Sequence, residues 1–148
     1  MMVFKLIHLL AVVLWVGGMF FAYMVLRPAA GEALQPPERL KLWDKVFCRF
    51  FNWVWIAVFA TLVSGLYMTY LMGGIVQLPH YIHAMLGGGV LMLLIFAYVF
   101  FAQYVPFNLA VADNDWPKAG AILAVIRKLV ATNLVIGILI FVFVELGR

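Results

Sequence analysis

Apolar residues fall along this chain in four long blocks, at roughly 3–26, 50–72, 80–105 and 121–145. Each is close to or beyond the ~20 residues a helix needs to cross a hydrocarbon core. Helices apolar on every side need lipid around them, because only a helix or a closed barrel satisfies its own backbone there. The pattern predicts an all-α, polytopic membrane protein: four transmembrane helices in one antiparallel bundle, a single domain over 1–148. The first block is too long for a cleavable leader, and Pro28-Ala29-Ala30 arrives only after a full span.

The polar interruptions predict the rest of the architecture. Between the first two blocks, Pro36-Pro37-Glu38 opens a helix, since proline is tolerated in a first turn. Leu40, Trp43, Val46, Phe47 and Phe50 then recur at helical spacing between Arg39, Lys41, Lys45 and Arg49. This predicts an amphipathic helix running into the second span. Asp115 followed by Pro117 predicts the start of the last helix. Gly18 with Ala22, and Asn133 with Gly137, mark expected helix contacts; Trp53 and Trp55 read as an interfacial belt.

Composition and charge add an orientation. The 148 residues are 68% hydrophobic and 11% charged, with mean hydropathy +1.11, which excludes a soluble domain. The formal net charge is +4, but the basic residues flank helices, so the lipid bilayer and no nucleic acid is the expected partner. Arg27, Arg39, Lys41, Lys45, Arg49, Lys118, Arg127 and Lys128 lie in or beside the first and third connections, while the second, 73–79, is uncharged. Basic loops stay in the cytoplasm, which places both termini on the periplasmic or extracellular side of a bacterial inner membrane. Cys48 is the sole cysteine, so no internal disulfide forms.

Candidate chemistry centres on His8 and His83, near the starts of the first and third blocks and therefore both in the outer leaflet. Ionisable groups in a bilayer are costly and persist mostly where they bind something. The two helices run parallel, so the imidazoles are expected at similar depth. His80, nearer the surface, is expected to be solvated.

Two ligands fit the pair. Haem b would take His8 and His83 as axial ligands, with Lys5 one turn above His8 at the propionates. Trp15, seven residues after His8, would stack on the ring or pack in the bundle, and Gly87 in the Gly87-Gly88-Gly89 run would admit the macrocycle or simply permit close helix packing. Copper would use His8 and His83 with thioethers of Met68 and Met85, among the methionines crowded at that end (Met1, Met2 and Met72 are the others). The plainer reading of each histidine is a bond to a backbone carbonyl. No P-loop, HExxH, CxxC or serine-triad pattern is present.

The stretch from His8 to Gly18, Arg49-Phe50-Phe51, Ser64-Gly65-Leu66, and the later Ile126-Arg127-Lys128-Leu129-Val130 with Asn133-Leu134 resemble the copper-resistance D (CopD-like) membrane family. The His8-to-Trp15 spacing is also similar to the first helix of the haem-containing bacterial protoporphyrinogen oxidase, although Ala131-Thr132-Asn133-Leu134 stands where that oxidase carries Asn-Glu-Val-Pro. The resemblance implies a metal or haem role centred on His8. The leading expectation is a haem b-binding, cytochrome-like electron-transfer protein, working with a redox partner or within a larger membrane complex or homo-oligomer. A copper-binding or copper-uptake protein using His and Met ligands is the alternative, and a non-catalytic partner subunit a third.

Overall fold

The computed structural model describes residues 1–147. Four of its helices are long and apolar enough to cross a membrane: α1 (Met2–Ala33), α2 (Pro36–Leu71), α3 (His80–Ala112) and α4 (Trp116–Leu146). No strand occurs among the described residues. With large side chains such as Phe59, Phe101 and Leu139 exposed on the outside, this is a multi-pass membrane protein.

The helices outrun the expected spans, and each overrun has a local cause. Gln35 precedes α2 in an extended conformation and Pro36-Pro37 occupy its first turn; the amphipathic segment and the second span form one uninterrupted helix. Asp115 caps α4, its carboxylate accepting the Lys118 backbone N–H at 3.2 Å. α1 and α3 were expected to stop before Pro28 and Pro106, yet both continue. In each, a π-helical stretch (Phe21–Leu26 and Val99–Tyr104) precedes the proline, which sits in the first turn of the α-helical segment that follows. Proline lacks an N–H and clashes with the carbonyl four residues back. A locally wider turn relieves both problems without ending the helix. The loop expected between the first two spans therefore shrinks to Leu34 and Gln35. At the other end, Gly73 and Gly74 adopt φ of 93° and 90°, which close α2 at little cost only for glycine.

α1 packs chiefly on α2 and α3 chiefly on α4, with α4 also against α1 and α2. Antiparallel order brings both termini and the α2–α3 turn to one end, here the terminal end. The α1–α2 and α3–α4 turns lie at the other, basic end. Lipid is as apolar as leucine, so close packing rather than the hydrophobic effect holds such helices together. Much of that packing is aromatic. Phe47 and Phe51 stack at 5.0 Å, and Phe96 takes Trp15, Phe51 and Trp55 edge-on at 6.1, 5.6 and 4.9 Å. Trp55 thus belongs to the interior, whereas Trp53 is exposed as an interfacial residue would be.

Polar contacts and glycines complete the interfaces. Asn133 donates to the Met92 carbonyl at 3.2 Å across α3 and α4, and Asn108 donates to buried Asp44 at 2.7 Å. A Cβ on Gly18 would fall 2.3 Å from the Phe50 ring, and one on Gly88 2.4 Å from Ile140. Gly87, expected at a contact or a cofactor, instead faces open space. Successive helical residues turn by 100°, and Gly88 is the one of the pair that faces α4.

Candidate functional site

His8 is half-buried in the α1–α2 interface near the terminal end. Its partners are set by the second helix, where Thr61, Ser64 and Gly65 break an apolar run at helical spacing and so share one face. The His8 Nδ1 lies 3.2 Å from the Thr61 carbonyl oxygen and 3.1 Å from the Ser64 hydroxyl. Gly65 makes room for the ring: a Cβ there would already touch His8 Cε1 at 3.4 Å.

These contacts assign the imidazole tautomer. A carbonyl oxygen only accepts, so Nδ1 carries the proton. Ser64 in turn spends its own hydrogen on the backbone carbonyls of Ala60 and Thr61, leaving its oxygen to accept from His8. Nε2 is then the nitrogen with the free lone pair, and it has no hydrogen-bond partner among the described residues. A metal-binding histidine is oriented in this way, by donating its other N–H to a carbonyl or similar acceptor. The hydroxyl of the same Thr61 is buried with no hydrogen-bond partner among the described residues. Buried polar groups are normally satisfied, so the face retains unused hydrogen-bonding capacity.

Met68 stands one turn beyond Ser64 on the same face of α2. Phe4 of α1 against Tyr67 of α2, with ring centroids 4.1 Å apart, fixes the register there. Met68 is half-buried and lies about 6 Å nearer the terminal end than Ser64, at the level of Val3 and Phe4.

The other candidates are placed differently. His83 is exposed, and its Nδ1 donates to Pro79 O of its own helix at 3.2 Å. Its position on α3 is about 180° around the helix axis from Met92, which contacts α4. The structure therefore seats His8 inside the α1–α2 interface and His83 on the outward face of α3, and does not bring the two together. Gly87 shares that outward face, Lys5 and His80 are exposed, and Met85 is half-buried on α3. Trp15 is buried against Phe96, which is core packing.

A haem held between His8 and His83 does not fit this arrangement. A macrocycle needs a slot of several hundred Å³. A cavity of about 720 Å³ lies at the basic end, and it is lined by none of His8, His83, Lys5 or Gly87. No group of three or more His, Cys, Asp or Glu side chains is placed to hold a metal among the described residues. A metal at His8 would accordingly draw its other ligands from thioether, hydroxyl or carbonyl groups.

Sequence reasoning singled out His8 but missed the Thr61 and Ser64 bonds. The signal was present in the 61, 64, 65 spacing, since small and polar residues on one face of an apolar helix mark a helix contact. Among known families, the model described as "Copper resistance protein D" matches residues 44–146. The match takes in Ser64 and Met68 and begins after α1, so it is silent on His8. No curated protein and no solved structure matches the chain.

Proposed function

Because the chain belongs to the copper resistance protein D family, we propose that it handles copper at the membrane, receiving Cu(I) at the His8 Nε2 with the thioether of Met68, on the same face of α2 as Ser64, as a second ligand. The observation that carries this reading is the anchoring of His8 across the α1–α2 interface: half-buried, with Nδ1–H held by Thr61 and Ser64 of the neighbouring helix and Nε2 without a partner among the described residues. Imidazole and thioether are ligands that Cu(I) prefers.

The charge pattern supports an inner-membrane setting with both termini outside. The basic residues at the α1–α2 and α3–α4 turns would then face the cytoplasm, and the His8 face would open toward the periplasm or exterior. A reporter fused at Gln77 should score external; a cytoplasmic score reverses the side from which copper arrives.

The decisive experiment is competition of the purified protein with a chromophoric Cu(I) chelator, in detergent, comparing the parent with His8→Ala and Met68→Leu. The proposal expects a defined site that His8→Ala removes and Met68→Leu weakens. Unchanged Cu(I) affinity in His8→Ala overturns it. A Soret band in the parent that His8→Ala removes would restore haem in place of copper.

A further inference from the structure

The cavity at the basic end has chemistry unlike the His8 face and independent of it. It lies between the ends of α1, α2 and α4 and encloses about 720 Å³. Three arginines from three helices are among its lining residues: Arg27 of α1, Arg39 of α2 and Arg127 of α4. Among the described residues none of the three is paired with a carboxylate. Glu32 and Glu38, close to Arg27 and Arg39 in sequence, are exposed and leave them unpaired.

The three arginines share a height in the bundle. Val16 beside Gly137 sets the α1–α4 register, and Gly18 beside Phe50 sets that of α1 and α2. Counting along the antiparallel helices from those contacts brings Arg127 level with Arg27, and Arg39 to within about one turn of it. Arg27 is about 37 Å along α1 from Met2, one hydrocarbon thickness of ~30 Å plus part of a headgroup layer. With Met2 at the opposite hydrocarbon boundary, the three arginines would stand at phosphate depth. Aromatic rings at this level are those expected at an interface: Arg27 stacks over Tyr23 at 4.9 Å, and Lys41 over Trp116 at 5.5 Å. Toward the membrane centre the lining turns apolar, with Phe47 and Val130. The α1 wall includes Ala22, Tyr23 and Met24 of the π-helical stretch, so the widening that accommodates Pro28 also shapes the groove.

We propose that this groove binds an anionic phospholipid, its phosphate among Arg27, Arg39 and Arg127 and an acyl chain along the apolar lining. Uncompensated positive charge at headgroup depth calls for an anion, and the apolar extension calls for one with a hydrocarbon tail. Arginine suits the phosphate because its planar fork donates two parallel bonds. Basic pockets between membrane helices on the cytoplasmic side bind lipid headgroups by this combination. A phosphate ester in water would meet the same arginines without using the apolar lining, which separates the two sources of phosphate experimentally.

The test uses the full-length protein in a neutral detergent, titrated with phosphatidylglycerol, phosphatidylcholine or inorganic phosphate, and read by native mass spectrometry and thermal melting. Phosphatidylglycerol should bind and raise the melting temperature, and the other two should not. Replacing Arg27, Arg39 and Arg127 together by glutamine should weaken binding about five-fold per guanidinium removed. Replacing Lys45, Arg49 and Lys128, which lie outside the groove, removes the same charge and should leave affinity within about two-fold of the parent. Gly120→Leu provides a variant with every charge intact: a Cβ there meets nothing within 4 Å, so the side chain should enter the groove without disturbing the protein and should weaken lipid binding. Equal binding of phosphatidylcholine, an equal loss in the control triple variant, or equal binding of inorganic phosphate would each overturn the proposal.

Discussion

At the terminal end the bundle holds one half-buried imidazole, fixed by two acceptors 3.1 and 3.2 Å from its Nδ1. At the basic end it holds a groove of about 720 Å³ with three unpaired guanidinium groups and a wall of aromatic rings. Both ends place polar chemistry against an apolar bundle, but by different means. A metal ligand works only when its lone pair is held in a narrow range of position, which the Thr61 and Ser64 bonds accomplish. Headgroup recognition tolerates looser geometry and depends on charge, space and depth. On the proposed readings, the terminal end would take a small ion and the basic end a large amphiphile.

The sharpest way to break this comparison is His8→Ala. The terminal end should lose Cu(I) affinity by more than about a hundred-fold, since removing a ligand exceeds the 10- to 100-fold that removing a supporting bond costs. Lipid binding at the basic end should be unchanged. A chelator competition and a lipid titration on one preparation check both halves; a variant that loses both shows general unfolding instead.

A second test addresses what holds the terminal end together. Gly88→Leu drives a side chain into Ile140 and should cost about 1–3 kcal/mol through overpacking. Gly87→Leu adds a lipid-facing side chain in open space and should leave melting unchanged. Equal effects from the two would show that close approach of α3 and α4 is not what the glycine run supplies.

Ser64→Ala should have a smaller effect, about ten-fold in Cu(I) affinity. The Thr61 carbonyl still accepts from Nδ1 and keeps the tautomer, but the ring loses one of its two anchors. Chelator competition measures this directly, and a Ser64→Thr variant that restores a hydroxyl should recover part of the loss.

Much of the fold was legible in the chain because span length, capping residues and charge flanks are local properties. The Pro36-Pro37 start, the Asp115 cap and the Asn133 interhelical bond follow from residues within a turn of one another or from a lone polar group in an apolar run. The helix ends at Pro28 and Pro106 were not legible, because proline usually stops a helix and nothing local announces a compensating π-turn. His8 stood out as an ionisable residue among Leu9, Leu10 and Ala11. Its pairing with His83 rested on depth alone, and depth does not specify direction around the helix axis. That direction depends on which helices are neighbours, and α1 lies chiefly on α2. The groove escaped notice for a related reason: Arg27, Arg39 and Arg127 read separately as flanks and converge only in three dimensions.

The smallest effect is expected at His83, and its smallness is informative. His83 has the same tautomer as His8, with Nδ1 donating to a backbone carbonyl, here Pro79 O at 3.2 Å. The tautomer by itself therefore does not make a metal site. His83 is exposed on the outward face of α3 and bonds to the carbonyl of Pro79 at the start of its own helix, and among the described residues no second helix holds the ring by a hydrogen bond. His83→Ala should change Cu(I) affinity by less than about two-fold and leave thermal melting within the range of ordinary surface substitutions, about 0.5 kcal/mol. Chelator competition on the single variant and on the His8→Ala, His83→Ala pair would distinguish independence from shared ligation. If the site is His8 with Met68, the double variant behaves as His8→Ala alone. A large loss from His83→Ala would require α3 to rotate or a second chain to supply its face, and the contrast between an anchored and an unanchored histidine would no longer hold.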